Sequence, residues 1–240
     1  MRAAKPGCHE YELQAELERV FRRHDAEPAY ASIVGAGDNA CVLHYRDNRA
    51  QAKDGALVLI DAGAEYRGYA ADITRTFPVN GRYSGPQRAL YEVVLAAQHA
   101  AMAVVRPGMA WPDYHDAAVR VLTEGLISLG LLEGGVDERI ADESYRRFYM
   151  HRTGHWLGMD VHDPCEYKDG ADWTRLEAGM VLTVEPGLYI APDAEGVDAR
   201  FRGIGIRIED DVAVTADGCE VLSAGVPTAI DDIEALMRDA

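Results

Sequence analysis

Leu57-Val58-Leu59-Ile60-Asp61-Ala62-Gly63-Ala64-Glu65-Tyr66-Arg67-Gly68-Tyr69-Ala70-Ala71-Asp72-Ile73-Thr74-Arg75-Thr76-Phe77 reads as two strands folded back on each other. Apolar, β-branched and aromatic residues flank a short turn at Glu65–Gly68, the pattern of a hairpin. A turn centred between Tyr66 and Arg67 sets Asp61 opposite Asp72, with Cβ atoms roughly 5 Å apart, an unfavourable pairing of like charges. Protonation of one carboxyl, a neighbouring arginine or a divalent cation between them would relieve the repulsion. The cation is the strongest of the three, because it binds both oxygens and cancels their charge. The plain alternative has Asp61 opening a turn and Asp72 solvated on an edge strand.

The chain of 240 residues carries a net charge of −16, with 48% hydrophobic and 27% charged residues. That composition is globular. Its acidity argues against a nucleic-acid-binding surface, which wants a basic face. No run of 18 apolar residues is present, and residues 1–20 lack the apolar core of a signal peptide, so no membrane partner is expected. Cys8, Cys41, Cys165 and Cys219 are scattered without CxxC spacing, which fits free thiols in a reducing cytoplasm.

Working outward, residues 9–25 place Leu13, Leu17, Val20 and Phe21 on one helical face. Short strands are expected at 32–36 and at Cys41–Tyr45, the second ending near His44. The Gly35–Gly37 pair lacks the rest of a dinucleotide fingerprint. Beyond the hairpin, Asn80-Gly81 marks a turn, a helix runs from Gln87 to Val105, and a second runs from Pro112 to Leu129 before Gly130. Residues 131–147 suggest no role, and 227–238 form a closing helix.

His151, His155 and His162 lie within a glycine-bearing stretch, 149–164. The spacing of His151 and His155 resembles a helical zinc site, but Arg152 stands where that motif needs glutamate, and Gly154 and Gly158 break the helix. Loop and strand are expected instead. Val181–Ile190 reads as a strand bearing Glu185, whose burial among apolar residues demands a partner. Gly203–Val214 reads as a final hairpin with strict alternation, so that Gly205, Arg207 and Glu209 share a face. A faint echo links the segments ending in Asp61-Ala62-Gly63 and Glu185-Pro186-Gly187, each followed by a strand bearing a further acid, Asp72 or Glu209. Asp61, Asp72, His155, Glu185 and Glu209 together form an oxygen-rich set. Its four carboxylates offset the charge of two divalent ions, Mn²⁺ first, with Mg²⁺, Zn²⁺, Co²⁺ or Fe²⁺ as alternatives. Two such ions about 3.5 Å apart share a bridging water and polarise a carbonyl, which is hydrolytic chemistry.

The segments IDAG at 60–63, ADITRTFPVNG at 71–81, GHWLGMDVHD at 154–163, VLTVEPGLYI at 181–190 and FRGIGIRIEDD at 201–211 closely resemble the aminopeptidase P family of pita-bread metallopeptidases. The resemblance implies an α+β fold, a curved, mainly antiparallel sheet backed by helices in two pseudosymmetric halves. It implies hydrolysis of the N-terminal Xaa-Pro bond of peptides by a hydroxide bridging two divalent metals. By the same resemblance, Asp72 and Glu209 bridge the ions, Asp61 binds one, and His155 and Glu185 bind the other. Glu185 shuttles the proton, His44 and His162 flank the substrate carbonyl and its oxyanion, and Arg207 orients a ligand carboxylate. His151 and Tyr189 line the proline pocket. Longer family members carry a separate domain before the helix at 9–25, often a source of oligomer contacts and selectivity. Residues 1–240 are therefore expected as a single catalytic domain without it, and a homo-oligomer stays open. Arg152 departs from the family's usual glycine. The nearest rival is prolidase, which shares every ligand. Methionine aminopeptidase fits less well, and a non-catalytic module with this fold is opposed by the presence of all five ligands.

Overall fold

The computed structural model describes residues 1–238. Helix α1 (Glu10–Arg23) leads to strands β1 (Glu27–Pro28) and β2 (Ile33–Ala36) and a 3₁₀ turn at Gly37–Cys41. Strands β3 (Leu57–Ala62), β4 (Ala64–Tyr66), β5 (Tyr69–Ala70) and β6 (Ile73–Pro78) precede helices α2 (Gly85–Val104), α3 (Asp113–Ser128) and α4 (Val136–Ala141). The chain then forms β7 (Lys168–Asp169), β8 (Asp172–Trp173), β9 (Val181–Val184) and β10 (Gly187–Ile190). It ends through β11 (Ile204–Arg207), β12 (Asp210–Val214), β13 (Cys219–Val221) and α5 (Ile230–Arg238). Among the described residues no helix is long and apolar enough to cross a membrane.

The fold is α+β, and every strand pair is antiparallel. Instead of one continuous sheet, the strands form separate short ladders, of which β2-β3-β6, β9-β12-β13 and β10-β11 surround the candidate site. Helices α2 and α3 pack together, and α2 lies over β9, β10 and β11. The predicted stripe on α2, Leu90, Val94, Ala97 and Ala101, is fully buried. Ser84 caps that helix through the Gln87 amide, with Pro86 in its first turn.

Five expectations change. The central turn has its apex at Arg67 and Gly68, both at positive φ, one residue later than predicted. Asp61 therefore pairs with Thr74, not Asp72, and the same register continued outward sets Gly63 opposite Asp72. This slip moves the partner by two positions, so Asp61 and Asp72 stay on one face as diagonal neighbours.

The segment Cys41–Tyr45 is not a strand, because the buried Glu10 carboxylate organises it as a loop. That side chain accepts from the Ala36 amide, the Asn39 side chain, the Tyr45 hydroxyl and the Ala50 amide at 2.7–2.9 Å. On α1, Leu13 is covered but Val20 is 44% exposed, so the apolar stripe is only partly packed.

Finally, Gly203–Val214 does not fold on itself. β11 pairs with β10 and β12 with β9, in one register interrupted on both sides. Glu185-Pro186 splits the expected single strand at 181–190, and continuing the register across the gap sets Glu185 opposite Glu209.

Gly63 tolerates no side chain, since a Cβ there would lie 1.6 Å from the Ala71 carbonyl oxygen. Gly63→Ala is expected to cost about 1–3 kcal/mol through forced backbone movement, read as a fall in the urea midpoint. An unchanged midpoint would show that the two segments separate freely.

Candidate metal centre

The interruptions in the two ladders bring the acids together. A cavity of about 610 Å³ is lined by Asp61, Asp72, His155, Glu185 and Glu209, with His44, His151, His162 and Arg207 around them. Asp72, His155 and Glu209 offer donor atoms within 4.8 Å of one another. His155 Nε2 lies 3.4 Å from Asp72 and 3.8 Å from Glu185. Its Nδ1 donates to the Trp156 carbonyl at 2.9 Å, which orients Nε2 into the cluster. Asp61, Asp72 and Glu209 are buried. Glu185 enters from a held backbone, its amide donating to the Thr153 carbonyl at 2.7 Å, while the Thr153 hydroxyl bonds Tyr149 and His115.

Few charges offset the four acids. Arg207, buried, donates Nη2 to Asp61 at 2.6 Å, Nη1 to the Tyr189 hydroxyl at 3.0 Å and Nε to the Thr74 hydroxyl at 3.2 Å. Thr74 in turn donates to Glu209 at 2.6 Å. The Tyr189 hydroxyl donates to His151 Nε2 at 2.9 Å, and His151 Nδ1 donates to the Arg152 carbonyl. His151 is therefore neutral: burial and Arg207 push its pKa down to about 3, and its 3.8 Å approach to Glu185 is not an ion pair. His162 stacks edge-on against His155, ring centroids 4.3 Å apart.

The electrostatics record the crowding. Burial pushes the Glu185 carboxyl up to about 8 against the pull of His155 and Arg207, and burial with the other three acids raises Glu209 well above the carboxylate range. Asp72 is raised by burial and Asp61. Burial opposes a charge on His155, but its bond to Asp72 and nearby Glu185 lift it to about 9. A cluster that retains protons for want of positive charge fits divalent cations, which would displace them. The carboxylate-rich donor set with one imidazole suits hard or borderline ions.

Nine of the ten predicted site residues line this cavity. Tyr189 stands behind it, touching His151 and Arg207 rather than the opening. His44 and His162 lie at the exposed rim. Arg152 is exposed and also lines the cavity. Sequence reasoning missed Tyr30, whose hydroxyl bridges Oδ1 of Asp61 and Oδ1 of Asp72. Burial and the surrounding acids keep that hydroxyl protonated. Its only sequence signal is its place just ahead of β2. Also missed were Trp111, Tyr167 and Trp173, an aromatic wall of the cavity; the first two meet at 4.9 Å between ring centroids.

Groups whose pKa is raised hold protons in the folded state that the unfolded chain releases, so their stabilisation is lost as pH rises through the folded value. Glu185 (about 8), Asp211 (about 7, raised by burial) and His155 (about 9) act this way between pH 6.5 and 8. The lowered Met1 amine opposes them, as do His115, His151 and His162, all lowered by burial, whose effect lies mainly below pH 6.5 and fades above it. The thermal midpoint of chelator-treated protein is expected to fall from pH 6.5 to 8, and the gap to Mn²⁺-supplemented protein to widen. A midpoint that rises with pH in chelator would contradict the arrangement.

Comparison with known proteins agrees with this geometry. The Xaa-Pro aminopeptidase of Escherichia coli is 52% identical over 239 residues, spanning 99% of this chain and 54% of that protein. The human Xaa-Pro dipeptidase is 39% identical over 274 residues, spanning 99% of this chain and 55% of that protein. The structure of aminopeptidase PepP from Pseudomonas aeruginosa matches with a TM-score of 0.98 at 60% identity, covering 99% of this chain and 54% of that one. The chain thus spans about half the length of the curated relatives it matches. Likeness to aminopeptidase P structures identifies the architecture as the pita-bread fold. Residues 1–216 match the description of metallopeptidase family M24, and with its carboxylate-rich centre the chain belongs to that family.

Proposed function

We propose that residues 1–240 act as one catalytic domain that hydrolyses the N-terminal Xaa-Pro bond of peptides, using two divalent cations held by Asp61, Asp72, His155, Glu185 and Glu209. One observation carries the reading: the five side chains, from five separate segments, line one cavity whose acids lack enough positive charge. Asp72 and Glu209 would serve both ions, Asp61 one of them, and His155 and Glu185 the other. Mn²⁺ is the preferred ion, with Mg²⁺, Zn²⁺, Co²⁺ or Fe²⁺ as alternatives. Bound cations would supply Lewis acidity toward the scissile carbonyl and lower the pKa of water.

The chain's own residues do the rest. Glu185, partly buried with its backbone held, receives the proton of the attacking water and returns it to the leaving imino nitrogen. His44 and His162, at the rim, hydrogen-bond the substrate carbonyl and the tetrahedral oxyanion. Arg207 fixes Asp61 through its 2.6 Å bond, holding that ligand's orientation. Neutral His151, held from behind by Tyr189, forms the wall against which the proline ring packs, where an uncharged imidazole suits an apolar ring.

The two ladders support a fold of two pseudosymmetric halves, since each meets its acids at an interruption: Gly63 across from Asp72, and Glu185 across from Glu209. The four free cysteines fit work in the cytoplasm. The greater similarity to the bacterial aminopeptidase than to the human dipeptidase favours aminopeptidase over dipeptidase action.

Two experiments test this. A tripeptide Xaa-Pro-Yaa is expected to be cleaved at Xaa-Pro in the presence of Mn²⁺ and hardly at all in chelator, whereas cleavage confined to the Xaa-Pro dipeptide would mean a prolidase. Asp72→Asn is expected to leave less than about a tenth of the parent rate. Greater residual activity would remove Asp72 from a bridging role.

A further inference from the structure

We propose that Arg75 and Asp211 are positioning residues, a reciprocal clamp across the junction of the two ladders that fixes the distance between Asp72 and Glu209. The proposal rests on the metal-centre reading above. Asp72 belongs to the first ladder's side of the cavity and Glu209 to the second's. Between them the main chain makes an isolated bridge, Glu209 N–H to the Thr74 carbonyl at 3.1 Å, rather than a ladder. Bridging carboxylates need their spacing held more tightly than one such bond provides.

Arg75, on β6 of the first ladder, reaches into the second. It is buried, and all five of its N–H donors are used. Nη1 donates to the carbonyls of Glu209 at 2.6 Å and Thr74 at 2.9 Å. Nη2 donates to Asp210 Oδ1 at 2.6 Å and the Val226 carbonyl at 2.8 Å, and Nε to the Pro227 carbonyl at 3.2 Å. Asp210 is held by the Gln98 amide at 2.8 Å and the Ser223 hydroxyl, so the guanidinium is locked in place.

Asp211, on β12 of the second ladder, reaches back. Both its carboxylate oxygens lie 3.2 Å from the Asp72 amide, which donates to them. Its own amide donates to Ser223 Oγ at 3.1 Å. A cation from one ladder thus grips the backbone of one bridging acid, and an anion from the other ladder grips the backbone of its counterpart. Neither side chain lines the cavity, so any effect on the centre passes through Asp72 and Glu209.

The test titrates Mn²⁺ alone into chelator-treated protein by calorimetry, beside thermal unfolding of the metal-free form. Arg75→Lys retains charge but has too few donors in the right plane to hold the Glu209, Val226 and Pro227 carbonyls together. Asp211→Asn keeps one acceptor for the Asp72 amide. Each is expected to weaken Mn²⁺ binding by about 10- to 100-fold, and the double variant to lose less than the product of the singles. Leu122→Ala, a fully buried change in α3, is the control: it lowers the thermal midpoint and leaves Mn²⁺ affinity within about twofold. If Arg75→Lys does not fold, Asp211→Asn decides alone. Variants that lose stability like the control yet bind Mn²⁺ like the parent overturn the clamp. A parent that binds no Mn²⁺ overturns the metal-centre reading first, a result visible without any variant.

Discussion

Mutual repulsion among Asp61, Asp72, Glu185 and Glu209 is the constraint around which this protein is arranged. Buried carboxylates without compensating charge are costly, and the surrounding groups reduce that cost only in part. Arg207 neutralises Asp61, Tyr30 bridges Asp61 and Asp72, Thr74 donates to Glu209, and His155 lies against Asp72 and Glu185. What remains uncompensated is visible as retained protons on Glu185 and Glu209. A fold that keeps such a cluster in a cavity reserves it for positive charge from outside.

The architecture that holds it depends on broken regularity. An unbroken ladder would spend the backbone at Glu185 and Glu209 on cross-strand hydrogen bonds. Pro186 has no amide to contribute, and the pairing opens there, resuming in the same register on either side. In the first ladder Gly63 does a comparable thing by letting the Ala71 backbone approach closely. Side chains replace the missing main-chain bonds: the Thr76 hydroxyl donates to the Arg207 carbonyl and accepts from its amide, and Thr74 connects Arg207 to Glu209. The alternating threonines of β6 therefore serve as a splice between ladders. Helix α2 backs the strands and α3 packs on α2, and each also supports the centre through one polar side chain, Gln98 on Asp210 and His115 on Thr153.

Burial first, and Arg207 second, explain the neutrality of His151. Burial disfavours a protonated imidazole there, which would also face Arg207 through Tyr189. The result is a weakly polar wall beside a strongly ionic centre, two environments within one cavity. Arg207 joins the two environments through different nitrogens, donating to Tyr189 and to Asp61.

Local chemistry made much of this legible. Apolar periodicity located α2 and α3 within a few residues, the turn residues located the central hairpin, and motif wording named the five candidate ligands, which line one cavity with the residues around them. The parity of alternation kept Asp61 and Asp72 on one face even though the turn apex lay a residue later than expected, because a register slip of two leaves the face unchanged. Three things were not legible. Cys41–Tyr45 has strand-like composition, but a glutamate some thirty residues earlier captures its neighbourhood. Gly203–Val214 alternates like a hairpin, yet its two parts pair with β10 and β9. Tyr30 carries no motif at all. The amino-acid sequence by itself determined which side chains are candidate ligands and which faces are buried, since both follow from residue type and spacing. Tertiary structure alone decided which strands meet, where their ladders break, and how Arg75 and Asp211 reach across the junction, because those depend on contacts between separate segments, more than a hundred residues apart for Arg75 with Glu209 and Asp72 with Asp211.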